Sequence, residues 1–310
     1  RLVSRGHTVH MITSTRDEAD RDQKGWRESV IEGIQVHAIS VPYKNTMPYH
    51  QRIAAFLRFA YHAARRAAQL KPDVVFATST PLTIALPGVY AARRAGAPMV
   101  FEVRDLWPEM PIAVGALKGR LPIAAARRLE HFAYRNSARV IALSPGMRDG
   151  VVEAGYPAER VSVIPNSCDL NLFDVPAEMG REFKLRKFPS VTGPLVTYAG
   201  TLGVLNVVGY LARIAAECRK LGSNATFVVA GDGKEYQSIQ SLARELGVLN
   251  DNFYMIGQLP KADMPLLLAA TDIAVSLFID LPEMWKNSAN KFFDALASGT
   301  PVAINYQGWQ

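Results

Sequence analysis

Ala225-Thr-Phe-Val-Val-Ala-Gly-Asp-Gly-Lys234 decides how this chain folds. An apolar run without polar alternation, ending abruptly in Gly-Asp-Gly, reads as a short strand covered on both faces. Glycines at a strand exit let the backbone approach a ligand closely and leave N–H groups directed at it. Read locally, the same residues serve equally well as a tight turn into the next helix.

Working outward, similar runs recur at Leu195–Gly200, Phe253–Gly257, Ile273–Phe278 and Val302–Ile304. An earlier series holds Val9–Thr13, Ile34–Ile39, Asp73–Thr78, Met99–Val103 and Arg139–Ser144. Helical spacing fills the gaps: over 50–70, Ile53, Phe56, Leu57, Ala60, Ala64 and Ala67 share one face. Strands alternating with helices predict parallel sheets with right-handed crossovers. The second series restarts after Phe173–Thr192, a stretch rich in charge, Pro and Gly, so the expected domains are 1–173 and 174–310. Ligands of such sheets bind beyond the carboxyl ends of the strands.

The 310 residues are 49% hydrophobic and 20% charged, which excludes wholesale disorder. Cys168 and Cys218 are the only cysteines, too few for a disulfide framework or a Cys-rich zinc site, and they suit a reducing cytosol. The uncharged run Val74–Ala92 is broken by Pro81 and Pro87 and makes a poor membrane span. Charge is uneven: residues 1–165 hold 23 Lys and Arg against 14 Asp and Glu, whereas residues 166–310 hold 12 against 14. A basic first half suggests an anionic partner there. The opening Arg1–Arg5 resembles the end of a helix capped by Gly6, so a strand and most of a helix are expected upstream. The chain reads as an internal fragment.

Several runs carry chemistry. Tyr198-Ala-Gly-Thr-Leu-Gly203 brackets a second loop with glycines after a strand, suited to lie against phosphates. In Asn287-Ser-Ala-Asn-Lys-Phe-Phe-Asp294-Ala-Leu-Ala-Ser-Gly299-Thr-Pro-Val302, Asn287 or Ser288 is expected to cap a helix that ends at Gly299. Lys291 then sits in the first turn, where the helix dipole disfavours a cation and a diphosphate would welcome one. Asp294, one turn on, suits ribose hydroxyls. Phe101-Glu-Val-Arg-Asp-Leu-Trp-Pro-Glu109 crowds Glu102, Arg104, Asp105 and Glu109 at a strand end, as acid–base or substrate-binding groups or as an Arg–carboxylate pair fixing the loop. The segments 50–71 and 117–139 are basic: Arg58, His62, Arg65 and Arg66 in the first, and Lys118, Arg120, Arg127, Arg128, Arg135 and Arg139 beside the single Glu130 in the second. Such helices suit an anionic membrane, or are plain solvated faces. There is no G-x-G-x-x-G, no P-loop signature and no recognised nucleic-acid-binding motif.

Taken in order, Arg5-Gly6-His7-Thr8-Val9, the Val163–Phe173 run Val-Ile-Pro-Asn-Ser-Cys-Asp-Leu-Asn-Leu-Phe, Gly231-Asp232-Gly233 and Asp294–Val302 resemble the motifs of the family 4 retaining glycosyltransferases. With Phe101–Pro108 and Asn287–Leu296, the chain looks most like the bacterial subgroup that builds O-antigen and capsule sugars, which includes an N-acetyl-L-fucosamine transferase. The resemblance implies a GT-B fold of two facing Rossmann-like domains, here lacking the first strand and the closing C-terminal helices. It implies an acceptor domain followed by a domain binding a nucleotide-sugar, usually UDP-linked. Transfer would retain the anomeric configuration, with no metal or other cofactor, onto a polyprenyl-diphosphate-linked saccharide.

The implied donor residues are Gly200, Thr201, Gly231, Asp232, Gly233, Asn287, Ser288, Asn290, Lys291 and Asp294. Asp105, Arg104 and Glu102 are the expected catalytic group, with Thr80 and Glu109 at the acceptor. The family's Arg and Lys in the loop after the second domain's first strand have no match in Thr201–Asn206, which makes Lys291 the replacement charge. The family's paired glutamates fall on Lys286 and Asp294, and its first-domain histidine on the neighbourhood of Asp105. The expected setting is the cytoplasmic face of the inner membrane, held peripherally by the basic first domain. Two other readings are a nucleotide-sugar epimerase and a non-catalytic nucleotide-sugar-binding subunit.

Overall fold

The computed structural model describes residues 1–310 except 16–24, 44–46, 80 and the side chain of residue 49. The expected acceptor contact Thr80 therefore lies outside the described residues. The chain forms two compact units, Arg1–Ile164 and Pro165–Gln310.

Among its described residues, unit 1 contains two sheets. The first joins β1 (His10–Thr15), β2 (Trp26–Ile31) and β3 (Ile34–Ser40) in the order β1-β3-β2. β1 runs parallel to β3, but β2 runs antiparallel to it, which corrects the expectation of wholly parallel sheets. The cause is local. Glu32 and Gly33 both adopt positive φ, +49° and +80°, the conformation of a two-residue hairpin turn.

Helix α1 (Tyr49–Gln69) then leads to the second sheet, β4 (Val75–Thr78), β5 (Met99–Val103), β6 (Arg139–Ala142) and β7 (Val161–Val163), all parallel and paired in that order. Between these strands lie α2 (Ala85–Ala95), α3 (Glu109–Ala113), α4 (Arg120–Arg135) and α5 (Pro145–Glu153). β5 alternates: Met99, Phe101 and Val103 are buried in the core with Val140, Ala142, Tyr134 and Tyr156.

Unit 2 begins earlier than expected. The boundary falls at Ile164/Pro165 rather than after Phe173. Phe173, at the end of α6 (Leu170–Phe173), packs with Leu268, Ala274 and Ala295 of unit 2. The charged stretch after it is not a linker but α7 (Ala177–Lys187), anchored by Phe183 and Phe188 against Leu195, Val228 and Leu267. Two phenylalanines bury enough apolar area to hold an otherwise polar helix.

The remaining elements are β8 (Leu195–Ala199), α8 (Gly209–Lys220), β9 (Thr226–Ala230), α9 (Tyr236–Glu245), β10 (Phe253–Gly257), α10 (Met264–Ala269), β11 (Ile273–Ser276), α11 (Pro282–Trp285), α12 (Asn290–Ala297) and β12 (Val302–Ile304). Their sheet is parallel throughout, in the order β10-β9-β8-β11-β12. All five residues of β9 are buried, as its unbroken apolar run requires.

Candidate functional site

The sheet of unit 2 builds outward from β8 in both directions, β9 and β10 on one side, β11 and β12 on the other. Its reversal point is therefore the seam between β8 and β11, where diverging crossovers leave a crevice at the carboxyl ends of the strands. Lys291 fills that position. Its Nζ lies 4.6 Å from the ring centroids of both Tyr198, on β8, and Phe278, just past β11. It donates to the Tyr198 hydroxyl at 3.1 Å. With the Asn206 amide oriented oxygen-first, Nζ also donates to Asn206 Oδ1 at 3.1 Å, while Asn206 Nδ2 donates to the Thr201 carbonyl at 3.0 Å. An ammonium has three N–H donors, so one remains for a ligand. Burial pushes the Lys291 ammonium down to about 7. The two ring faces oppose that shift, because their quadrupoles attract a cation. Burial also raises the Tyr198 phenol, which keeps it protonated and donating to the Thr201 carbonyl at 2.8 Å.

The two glycine loops are laced together by backbone hydrogen bonds. Gly200 N donates to Ala230 O at 2.9 Å, Leu202 N to Asp232 O at 3.0 Å, and Glu235 N to Leu202 O at 2.9 Å. Gly231 N donates to Gly257 O at 2.7 Å, and Asp232 Oδ1 accepts from Gly233 N at 2.7 Å. A Cβ on Gly231 would collide with the Gly200 carbonyl, and one on Gly233 with the Leu202 carbonyl. Both glycines also have positive φ, +149° and +159°. The glycines therefore permit one backbone to cross directly over another, and Gly200, Thr201, Gly231, Asp232 and Gly233 come together at one edge.

Helix α12 starts one or two residues later than expected. Its N-cap is Ala289, which makes no side-chain cap, rather than Asn287 or Ser288. Those two residues are engaged elsewhere. Ser288 Oγ accepts from Asn166 N at 3.1 Å, Ser288 O from Asn166 Nδ2 at 2.5 Å, and Asn287 O from Trp309 Nε1 at 2.8 Å. They fasten neighbouring loops of unit 2 and leave the first-turn N–H groups of Asn290 and Lys291 without a capping side chain. Such groups have no intrahelical acceptor and suit an anion. Asp294, one turn on, is half-buried. Burial raises its carboxyl and Lys261 pulls it back.

In unit 1 the expected cluster divides. Glu102 lies inside β5, not in the loop beyond it, and its Oε2 accepts from Thr78 Oγ1 at 2.6 Å across the register pair of β4 and β5. Arg104 N donates to Ser79 Oγ at 2.9 Å, which ties the loop after β5 to the end of β4. The Arg104 side chain is exposed and Asp105 half-buried. Glu109 opens α3, with its Oε2 buried and without a hydrogen-bond partner. Beneath it lies a group not singled out in the sequence. Glu130 of α4 is 2% exposed, and burial, with the nearby Glu109 carboxylate, pushes its carboxyl up to about 8.

Glu130 makes stability pH-dependent. Between about 4.5 and 8 the native protein holds a proton that the unfolded chain has released, so stability falls as pH rises through that window. Glu130→Gln is expected to raise the unfolding free energy of unit 1, read by urea at pH 8.5, by about 1–3 kcal/mol, with little change at pH 5. Equal effects at both pH values would contradict the assignment.

Tyr198, Asn206, Phe278 and Glu130 were not among the expected site residues. Tyr198 alone had a local signal, being the residue two before Gly200. Among the described residues, no group of three or more His, Cys, Asp and Glu gathers as metal ligands, and no helix is long and apolar enough to cross a membrane.

Comparison with known proteins places these features in context. Residues 1–167 match a family model described as glycosyl transferase 4-like domain, and residues 193–308 one described as glycosyl transferases group 1. The chain is 26% identical over 222 residues to the 2-deoxystreptamine glucosyltransferase of Streptomyces kanamyceticus, covering 70% of this chain and 55% of that protein. The chain thus spans about half the length of that relative. Among solved structures, Anabaena HepE in complex with UDP and glucose aligns with a TM-score of 0.66 at 19% identity, over 89% of this chain and 68% of that one. WaaG, a glycosyltransferase involved in lipopolysaccharide biosynthesis, aligns with a TM-score of 0.65 at 18% identity, over 98% and 74%. These likenesses show the GT-B class of fold, with two Rossmann-like units.

Proposed function

The chain belongs to the glycosyl transferase 4-like family, and from that premise we propose that unit 2 binds a UDP-sugar whose sugar is transferred, with retention, to a polyprenyl-diphosphate-linked saccharide held by unit 1. One observation carries the reading: the Lys291 amine stands at the sheet's reversal point, beside two crossed glycine loops and the open N-terminus of α12. That is a receptor for a diphosphate. HepE, crystallised with UDP and glucose, supports a uridine nucleotide as the ligand.

In the transfer, the bond from the anomeric carbon to the diphosphate oxygen breaks and the acceptor hydroxyl oxygen bonds to that carbon on the same face. The hydroxyl proton passes to the departing diphosphate oxygen. Charge grows on the diphosphate as it leaves, and Lys291 and the α12 N–H groups stabilise it there. Asp294 accepts from the ribose hydroxyls. Asp105 orients the acceptor hydroxyl, with Glu102 and Arg104 holding the loop that carries it. No cofactor or metal takes part in this scheme, and nucleic acid is not a partner. The likeness to WaaG, a glycosyltransferase involved in lipopolysaccharide biosynthesis, supports a place in surface polysaccharide synthesis. We assign the chain to the O-antigen or capsule kind, and the excess of Lys and Arg in its first half supports a peripheral position on the inner face of the plasma membrane.

The test is transfer of label from a panel of UDP-sugars to polyprenyl-linked acceptors, with the product anomer read by NMR. Asp105→Asn should lower kcat/KM about 10- to 150-fold, the value of a charged hydrogen bond, while UDP affinity stays unchanged. Full turnover in that variant would remove Asp105 from the mechanism. Conversion of the UDP-sugar without an acceptor would replace the transferase reading with an epimerase.

A further inference from the structure

The arginines of unit 1 are not equivalent. On α1, Arg66 pairs with Glu28 and His37, Arg65 donates to the Tyr61 hydroxyl at 2.8 Å, and Arg52 stacks over Tyr43. On α4 the arrangement is different. Arg127, Arg128, His131 and Arg135 line a cleft of about 590 Å³ whose far wall is Arg93 of α2. Among the described residues, no carboxylate lines it.

The cleft is built rather than merely charged. Asn136 at its floor accepts from Arg93 Nη2 at 2.5 Å and donates to the Phe132 carbonyl at 2.8 Å, which fixes Arg93 across from α4. His131 Nδ1 donates to the Arg127 carbonyl at 2.7 Å, which leaves Nε2 for the cleft. Phe132 packs on the core beneath. Glu130 of α4, whose carboxyl interacts with Arg127, is buried and keeps its proton at neutral pH, so it does not cancel the arginines. Planar guanidinium groups in this density match the oxygens of phosphate esters, to which arginine binds in pairs of hydrogen bonds.

The rim says where that phosphate comes from. Leu121 is 84% exposed and stands two turns before Arg128 on the same stripe of α4. On α2, Tyr90 and Leu86 are exposed one and two turns before Arg93. A soluble phosphoanion needs no apolar rim, whereas a bilayer interface takes up leucine and tyrosine beside arginine.

We propose that the cleft between α2 and α4 is a binding site for the phosphate head groups of anionic lipid, with Leu121, Leu86 and Tyr90 entering the interface around it. The proposal rests on the membrane association given above and narrows it from two basic helices to one cleft.

Flotation with phosphatidylcholine vesicles, with and without phosphatidylglycerol, tests it on three proteins: the unaltered chain, Arg128→Ala/Arg135→Ala in the cleft, and Arg58→Ala/Arg65→Ala on α1. The unaltered chain should float only with phosphatidylglycerol. The cleft variant should bind those vesicles about 30-fold more weakly, and the α1 variant should bind as the unaltered chain does. Equal losses in the two variants would mean diffuse attraction and overturn the cleft. A thermal shift with inorganic pyrophosphate that needs Arg128 and Arg135, without vesicle binding, would assign the cleft to a soluble phosphoanion and overturn the lipid proposal. The thermal shift with UDP is read on the same proteins. An unchanged UDP shift in the cleft variant, with an unchanged urea transition of unit 1, shows that both units are folded and separates failure here from failure of the donor site.

Discussion

Lys291→Met is expected to weaken UDP binding roughly 100-fold while making the free protein more stable at pH 6. The two effects have one cause. Lys291 is held in a crevice that burial makes unfavourable for its charge, with its ammonium pushed down to about 7 against 10.5 in the unfolded chain. Below pH 7 the native state carries the full cost of a buried ammonium. As pH rises from 7 to 10.5 the native state is neutral while the unfolded chain remains protonated, so stability increases across that window. Methionine keeps the apolar stem between the Tyr198 and Phe278 rings and removes the charge. The variant should therefore gain about 1–3 kcal/mol at pH 6 and lose that advantage towards pH 10; the upper end is limited because the two rings already stabilise the cation.

Binding moves the other way. A charge-assisted bond to phosphate is worth about 1.5–3 kcal/mol, which sets the expected loss. In the unaltered protein, a diphosphate must also draw a proton onto Lys291 above pH 7, so UDP affinity should fall about tenfold per pH unit there. Calorimetry in buffers of different ionisation enthalpy reads that proton uptake directly. UDP affinity unaffected by the substitution would remove Lys291 from the site.

Gly231→Ala is expected to destabilise unit 2 by about 3–5 kcal/mol and to abolish the UDP shift. Gly231 has φ +149°, and the added Cβ would overlap the Gly200 carbonyl oxygen, which belongs to the other glycine loop. That neighbour is backbone, held by the Gly200 N to Ala230 O bond, so it cannot rotate away. Strain at the residue and overlap with a fixed atom add. Gly222→Ala provides the scale. Gly222 also has positive φ, +72°, but a Cβ there meets nothing within 4 Å, so only the conformational term of about 1–2 kcal/mol applies. Urea unfolding of both variants decides the matter. A Gly231 variant no worse than the Gly222 variant would show that the crossing of the loops does not constrain the backbone.

Much of this was legible before any coordinates. The short apolar runs marked most strands of both units to within a residue or two, most plainly β8 and β9, whose burial on both faces leaves no alternation to misread. β2 was not seen. Its Trp26-Arg-Glu-Ser-Val-Ile31 carries charge on an exposed edge, and only the Glu32-Gly33 pair signals the hairpin. The domain boundary was set too late because nothing beside Phe173 in sequence marks it as core of the second unit, and what buries it is the distant Leu268, Ala274 and Ala295. In the site, Lys291 was readable as a cation in a first helical turn, where it is electrostatically out of place. Its box was not readable, since Tyr198 precedes it by 93 residues in sequence and meets it only through the sheet. Ser288 was read as a cap because serine suits one, yet its hydroxyl holds Asn166, a contact across 122 residues. Glu130 stood out in sequence only as the single acid of a basic segment. Its burial follows from the packing of α4 against the sheet, which local spacing does not specify.

The central claim is that unit 2 is a receptor for a uridine diphosphate-sugar. A thermal-shift panel of UDP, ADP, GDP and several UDP-sugars, run on the unaltered protein and on Lys291→Met at pH 6.5, tests it most directly. Binding to the native state raises the midpoint by mass action. The expected result is a shift selective for uridine, largest with one UDP-sugar and lost in the variant. No shift with any nucleotide, or an equal shift in both proteins, would contradict it.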